Sequence, residues 1–173
     1  MATKKSGFTL IELVIVLVVL AVLAVIAIPR FLNMDKEARR SALEAGIASL
    51  KSANDMVYAK ASIEGKENLM PNEYHNPTDA SIIVNGRRVD LSYGRMMASK
   101  WNIETVADFP KDDWKIVQAR GGHFGLVYLM PQGAPSFNMA NATDIAASKC
   151  YLSYSFKQYD YHTPIYDMAY EGC

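Results

Sequence analysis

The sequence is poor in the residues that carry chemistry. Its 173 residues include two cysteines, Cys150 and Cys173, both in the last segment, and three histidines, His75, His123 and His162. The histidines stand in separate stretches expected to be loops or turns, with no metal-ligand or triad-like spacing among them. Net charge is missing too: 18 Lys and Arg face 18 Asp and Glu, so no basic field is available to hold nucleic acid. No Gly-x-Ser-x-Gly occurs. Gly121-Gly122-His123-Phe124-Gly125 lacks the Gly-Lys-Ser/Thr step of a phosphate loop and leads into a strand, and Asp112-Asp113 lacks the further oxygen ligands of a calcium loop. These absences leave no catalytic, cofactor-binding or metal-binding residue to name, and an enzyme is not expected. An isolated cysteine pair without nearby ligands reads as a disulfide, provided that the compartment is oxidising. Such a bridge is worth roughly 3 kcal/mol in the loop-entropy model.

What the chain does have is one long apolar run. Residues 7–29, GFTLIELVIVLVVLAVLAVIAIP, hold about twenty apolar side chains, enough to span a hydrocarbon core. A short polar head with Lys4 and Lys5 precedes the run, and a polar helix follows it. The run carries a single charge, Glu12. A carboxylate there costs roughly 2.5–3.5 kcal/mol on insertion scales, so it needs a partner, and none is expected within the run itself. A secretory signal has a shorter apolar region followed by a small-x-small cleavage site, and no Ala-x-Ala occurs between Leu20 and Ile28. The small residue stands before the run instead. Cutting after Gly7 in Ser6-Gly7-Phe8-Thr9-Leu10-Ile11-Glu12-Leu13 would remove the charged leader and keep the anchor, leaving 16 basic against 18 acidic side chains.

At these residues, from Lys4 to about Arg30, the chain resembles the type IV pilin superfamily. The resemblance implies a leader of residues 1–7 removed after Gly7 by a prepilin peptidase that then methylates Phe8. It implies a role in filament assembly for Glu12, whose missing partner would be the Phe8 amine of a neighbouring subunit. Pairing two lone charges in lipid favours both. The resemblance also implies that the helix near Pro29 loosens when subunits pack into a filament; read alone, Pro29 kinks a continuous helix or marks a helix boundary at the membrane surface. Lys4 and Lys5 on one side face Arg30, Lys36, Arg39 and Arg40 on the other, so charge does not set orientation. The cysteine pair and the resemblance both place the C-terminal part outside the cytoplasm.

The implied fold is α+β: a long N-terminal helix with a protruding apolar half (residues 8–29) and an amphipathic half (30–63) packed on an antiparallel sheet of a head domain (64–173), closed by a C-terminal disulfide-bounded loop. In residues 30–63, Leu43, Ile47, Leu50, Val57 and Ala61 form a stripe widened by Ala42, Ala45, Ala53 and Met56, with Gly46 as the weak point. Asp35, Lys36, Glu37, Arg39, Arg40 and Glu44 read as a solvated face whose charges would pair between subunits in a filament. Glu64-Gly65-Lys66 ends the helix, and residues 70–79 are loop by composition. Asn85-Gly86 predicts a type I′ hairpin over residues 81–91. Residues 93–109 read as one or two short helices, the second starting near Asn102 and stopped by Pro110. Strands are expected over 114–119 and 124–130, the latter central because both of its faces are apolar. Cys150, Leu152, Tyr154 and Phe156 share one face of a further strand, after which Tyr159, Tyr161, Pro164, Tyr166 and Tyr170 read as an irregular aromatic loop.

Among pilins the pattern looks most like the mannose-sensitive haemagglutinin (MSHA) pilins of aquatic gammaproteobacteria; Asn141-Ala142-Thr143 fits a glycosylation sequon, which in a bacterial protein is mostly a chance match. The implied function is that of a structural subunit: an inner-membrane precursor that an assembly ATPase and platform polymerise with copies of itself into an extracellular pilus of a Gram-negative bacterium. That pilus would serve cell adhesion, surface attachment and biofilm formation. The alternative is a pseudopilin of a type II secretion system, whose major subunits typically lack the terminal disulfide and carry a calcium loop. Surface carbohydrate is a further candidate partner, since the terminal tyrosines are able to stack on sugars.

Overall fold

The computed structural model describes residues 9–70, 80–122, 125–157 and 160–173, with the backbone alone at 29–33. Most of the loop expected over 70–79 lies outside the described residues, as do His75, His123, Phe124 and Tyr159. Two compact units make up the chain, Met1–Ala38 and Arg39–Cys173. The helix α1 (Leu10–Ile63) does not end at Pro29, and it stops just before Glu64-Gly65, where Gly65 takes a positive φ of 67°. In the first unit the side chains from Leu10 to Ile26, and that of Ile28, are mostly exposed.

The second unit is built on the C-terminal half of α1. Leu43, Gly46, Leu50, Ala53, Asn54, Val57 and Ala61 are buried along it at helical spacing. The stripe differs from expectation at Ala45 and Met56, which are exposed, and at Asn54, which is fully buried. Gly46 is a contact point where a helix defect was anticipated: a Cβ there would come within 2.6 Å of Leu152 Cδ2 and 2.8 Å of Trp114 Cη2. Only a residue without a side chain lets the helix approach the sheet so closely.

Next come β1 (Ser81–Val84), β2 (Arg87–Ser92) and β3 (Arg95–Met96), an antiparallel three-stranded sheet in that order. Asn85 and Gly86, at φ 52° and 73°, make the turn predicted for the first hairpin. Tyr93 and Gly94 repeat the device at φ 47° and 75°, so residues 93–96 form a second hairpin where a helix was expected. The one helix of this stretch, α2 (Lys100–Val106), starts earlier than anticipated, because Ser99 caps it by accepting from the Asn102 N–H at 3.1 Å.

The other sheet is antiparallel, in the order β4 (Trp114–Arg120), β5 (Leu126–Pro131), β6 (Tyr151–Lys157), β7 (Asp160–Ala169). Strand β5 is central, as its two apolar faces implied. Between β5 and β6 lies α3 (Ala142–Ser148), which composition did not reveal. Its N-cap is Asn141, whose side chain accepts from the Thr143 N–H at 2.9 Å, so the sequon-like triplet is a helix start.

The segment read as an irregular aromatic loop is instead β7, a ten-residue strand paired with β6 along most of its length. Pro164 is tolerated because β7 is an outer strand, free of a second neighbour in the sheet. His162 therefore lies on a strand. The two sheets and the helix share one core, in which Leu91, Ile103, Leu129, Met130, Ile145, Leu152 and Tyr154 are fully buried.

Candidate functional site

Two local constructions bear on function, one in each unit. At the N-terminal end of α1, Thr9 stands at the capping position and Glu12 three residues later. The Thr9 backbone N–H and hydroxyl both donate to Glu12 Oε2, at 2.9 and 2.7 Å, while the Glu12 N–H donates to Thr9 Oγ1 at 3.4 Å. The Thr9 carbonyl accepts the first helical bond, from the Leu13 N–H at 3.3 Å. This is a capping box, in which side chain and backbone satisfy each other at the start of the helix. The expectation that Glu12 has no partner nearby is therefore corrected: Thr9 is one. The signal was legible as Thr-x-x-Glu directly in front of an apolar run. Both Thr9 bonds end on Oε2, and among the described residues no hydrogen bond reaches Oε1. Gly7 and Phe8 lie outside the described residues. Leu10–Ile28 is long and apolar enough to cross a membrane.

In the second unit, Cys150 and Cys173 form a disulfide with an S–S distance of 2.10 Å, and both cysteines are buried. The bridge closes a loop that contains the whole β6–β7 hairpin. Arg39 adds a second tie that sequence reasoning placed in solvent: its Nε donates to the Cys173 carbonyl at 2.9 Å and its Nη1 to the Gly133 carbonyl at 3.1 Å. Arg40, by contrast, pairs with Glu44 one turn on along the same helix at 3.0 Å, with both side chains about half exposed. Such a pair contributes only about 0.3–0.5 kcal/mol.

The terminal tyrosines mostly serve the fold. Tyr154 is fully buried, accepts from Asn54 Nδ2 at 3.0 Å and donates to the Met96 carbonyl. Tyr166 accepts from the same Nδ2 at 2.7 Å, and Asn54 Oδ1 takes the Met96 N–H at 3.0 Å. One buried amide thus ties α1 to β3, β6 and β7, joining both sheets. Burial pushes the Tyr154 phenol well above its ordinary range and Tyr166 reinforces the shift, against smaller opposing effects of Asn54 and Arg95. Burial likewise raises Tyr166 and Tyr151. Tyr170 has its face covered by the Arg40 guanidinium at 4.7 Å. Tyr154, Tyr166 and Tyr170 therefore do not make a row of open rings for stacking on sugars.

A family model for the prokaryotic N-terminal methylation motif matches residues 2–28. No curated protein and no solved structure matches the chain. The motif is that of a type IV pilin or pseudopilin precursor, a structural subunit processed by a prepilin peptidase and then polymerised. The rest of the chain agrees with this class. A long helix that starts as an apolar segment, antiparallel sheets and a C-terminal disulfide make up the type IV pilin fold.

Proposed function

We propose that the chain is the repeating subunit of a type IV pilus of the MSHA-like kind, which a Gram-negative cell uses for adhesion, surface attachment and biofilm formation. In this reading residues 1–7 are the leader, cut after Gly7, and Phe8 becomes the methylated terminus. Residues 8–29 hold the precursor in the inner membrane and later form the filament core, 30–63 carry the amphipathic helix, and 64–173 form the head. Glu12 keeps one carboxylate oxygen on Thr9 and offers the other to the Phe8 amine of a neighbouring copy. Pro29 is the point where the helix loosens on packing. The assembly ATPase and platform drive polymerisation, and surface carbohydrate is among the targets.

The observation that carries this reading is the disulfide-closed β6–β7 hairpin behind a methylation motif. The motif alone fits a type II secretion pseudopilin equally well; the terminal disulfide favours the pilus, because major pseudopilins typically lack it.

The test is electron microscopy of a sheared cell-surface fraction, with N-terminal sequencing of its main protein. Filaments whose subunit begins at methylated Phe8 are expected, and an intact Met1 start would overturn the reading. Glu12→Val should be cut normally and accumulate in the membrane yet give few filaments; a wild-type yield at equal membrane level would remove Glu12 from assembly.

A further inference from the structure

The head unit carries an open groove of about 410 Å³ formed by Lys51 and Asp55 of α1, Arg95 of β3, and His162, Thr163 and Tyr166 of β7. That volume lies in the range of small-ligand sites, about 300–1,000 Å³. Its polar groups are held in place by neighbouring rings and ion partners. The Arg95 guanidinium lies 4.5 Å from the centre of the Tyr58 ring and donates to Asp55 Oδ1 at 2.7 Å. The Lys51 ammonium stands 5.7 Å from the centre of the Tyr166 ring, and Tyr166 is itself fixed by Asn54. The His162 ring stacks on Tyr93 with centroids 3.5 Å apart and planes 24° apart. Groups immobilised before binding lose little entropy when a ligand arrives.

The chemistry of this wall selects a ligand. A planar guanidinium beside a carboxylate offers fixed donors next to a fixed acceptor, and two adjacent hydroxyls, each both donor and acceptor, satisfy the two together. A polyphosphate fits less well, because its ionised oxygens give the exposed Asp55 carboxylate no donor and it carries more negative charge per unit than a single carboxylate. Lys51 and Arg95 against Asp55 leave one positive charge in excess, which suits a ligand with one carboxylate per unit.

We propose that this groove binds an acidic saccharide of the hexuronate class, its carboxylate on Lys51 and its adjacent hydroxyls on the Arg95–Asp55 pair, with His162 and Thr163 along the same wall. The proposal rests on the surface-attachment reading for its biological use, since it names the sugar class and the residues that would take it.

The test is calorimetric titration of the full-length subunit in detergent with a hexuronate tetrasaccharide, a neutral hexose tetrasaccharide of the same linkage, and tripolyphosphate. Saturable binding of the hexuronate is expected, with the neutral sugar weaker by about tenfold, the loss of one good interaction. Lys51→Ala should weaken the hexuronate by a similar factor, and Asp55→Asn should weaken it while improving tripolyphosphate. Both positions are exposed on α1, so the fold is retained, as near-ultraviolet circular dichroism would verify. No saturable binding, equal binding of the neutral sugar or of tripolyphosphate, or indifference to both substitutions would overturn the proposal. Filaments are not needed for this measurement: a subunit that binds but never polymerises counts against the pilus alone, and one that polymerises without binding counts against the groove.

Discussion

Replacing Asn54 by Leu asks how much one buried amide holds together. The side chains are similar in size, so little cavity is created and the loss is mainly of hydrogen bonds. The Met96 N–H, which donates to Asn54 Oδ1 at 3.0 Å, is left buried without that acceptor. An orphaned buried donor costs about 1–3 kcal/mol. Tyr154 retains its bond to the Met96 carbonyl, and Tyr166 is only partly buried and within reach of water, so their lost contacts together cost about 1 kcal/mol. The added apolar burial returns about 1 kcal/mol. A net destabilisation of about 1–3 kcal/mol is expected, a substantial part of the margin of a domain this size. It would be measured by urea unfolding of the full chain in non-ionic detergent, followed by tryptophan fluorescence and circular dichroism. In a double-mutant cycle with Tyr154→Phe the two losses should fail to add, because both act on the contacts around Met96. A loss below about 0.5 kcal/mol, no more than a surface substitution such as Ser52→Leu produces, would refute the view that this amide joins the sheets.

Three further outcomes are expected. Cys150→Ser or Cys173→Ser should lower head stability by about 3 kcal/mol and reduce surface filaments while leaving N-terminal processing intact; thiol labelling that finds both sulfurs free in the native protein would contradict it. Gly46→Val should destabilise by about 1–3 kcal/mol through overpacking against Leu152 and Trp114, and Gly46→Ala by less, since alanine recovers about 1 kcal/mol of helix propensity; thermal melts that rank valine above glycine would argue against the close helix–sheet approach. The raised phenols of Tyr154, Tyr166 and Tyr151 make the folded state bind more protons than the unfolded one above the ordinary tyrosine range, about pH 10. Their contribution to stability is therefore complete below that pH and is lost as the pH climbs through the folded values. Phenolate absorbance should show part of the ten tyrosines titrating only as the fold is lost, whereas titration of all ten near pH 10 with the fold intact would refute the assignment.

Features set by nearest neighbours in the chain were legible without the structure. Residues 10–28 announce a membrane-length apolar segment by composition, and Asn85-Gly86 announces its turn because those residues accept positive φ at low cost. The end of α1 at Ile63 followed from the Glu64-Gly65 breaker, the central position of β5 from its two apolar faces and the inward face of β6 from alternation. The capping box at Thr9 and Glu12 is just as local, a Thr-x-x-Glu at the head of the apolar segment.

Other features depend on contacts across the fold. Strand β7 alternates poorly because it is an outer strand carrying a proline and two partly buried tyrosines, and only its pairing with β6 makes it a strand. Helix α3 is seven residues long, too short for an amphipathic period, and is defined by its Asn141 cap and the buried Ile145. Gly46 and Asn54 look like weak helix positions until Leu152 and Trp114 arrive against one and Met96, Tyr154 and Tyr166 against the other. The groove between Lys51 and His162 unites residues more than a hundred positions apart. Residue chemistry along the chain pointed to the class of protein, since the methylation motif and the membrane-length apolar segment are both local. Tertiary structure alone decided which polar and aromatic side chains hold the head together and which face outward, because burial and partnership depend on what packs opposite.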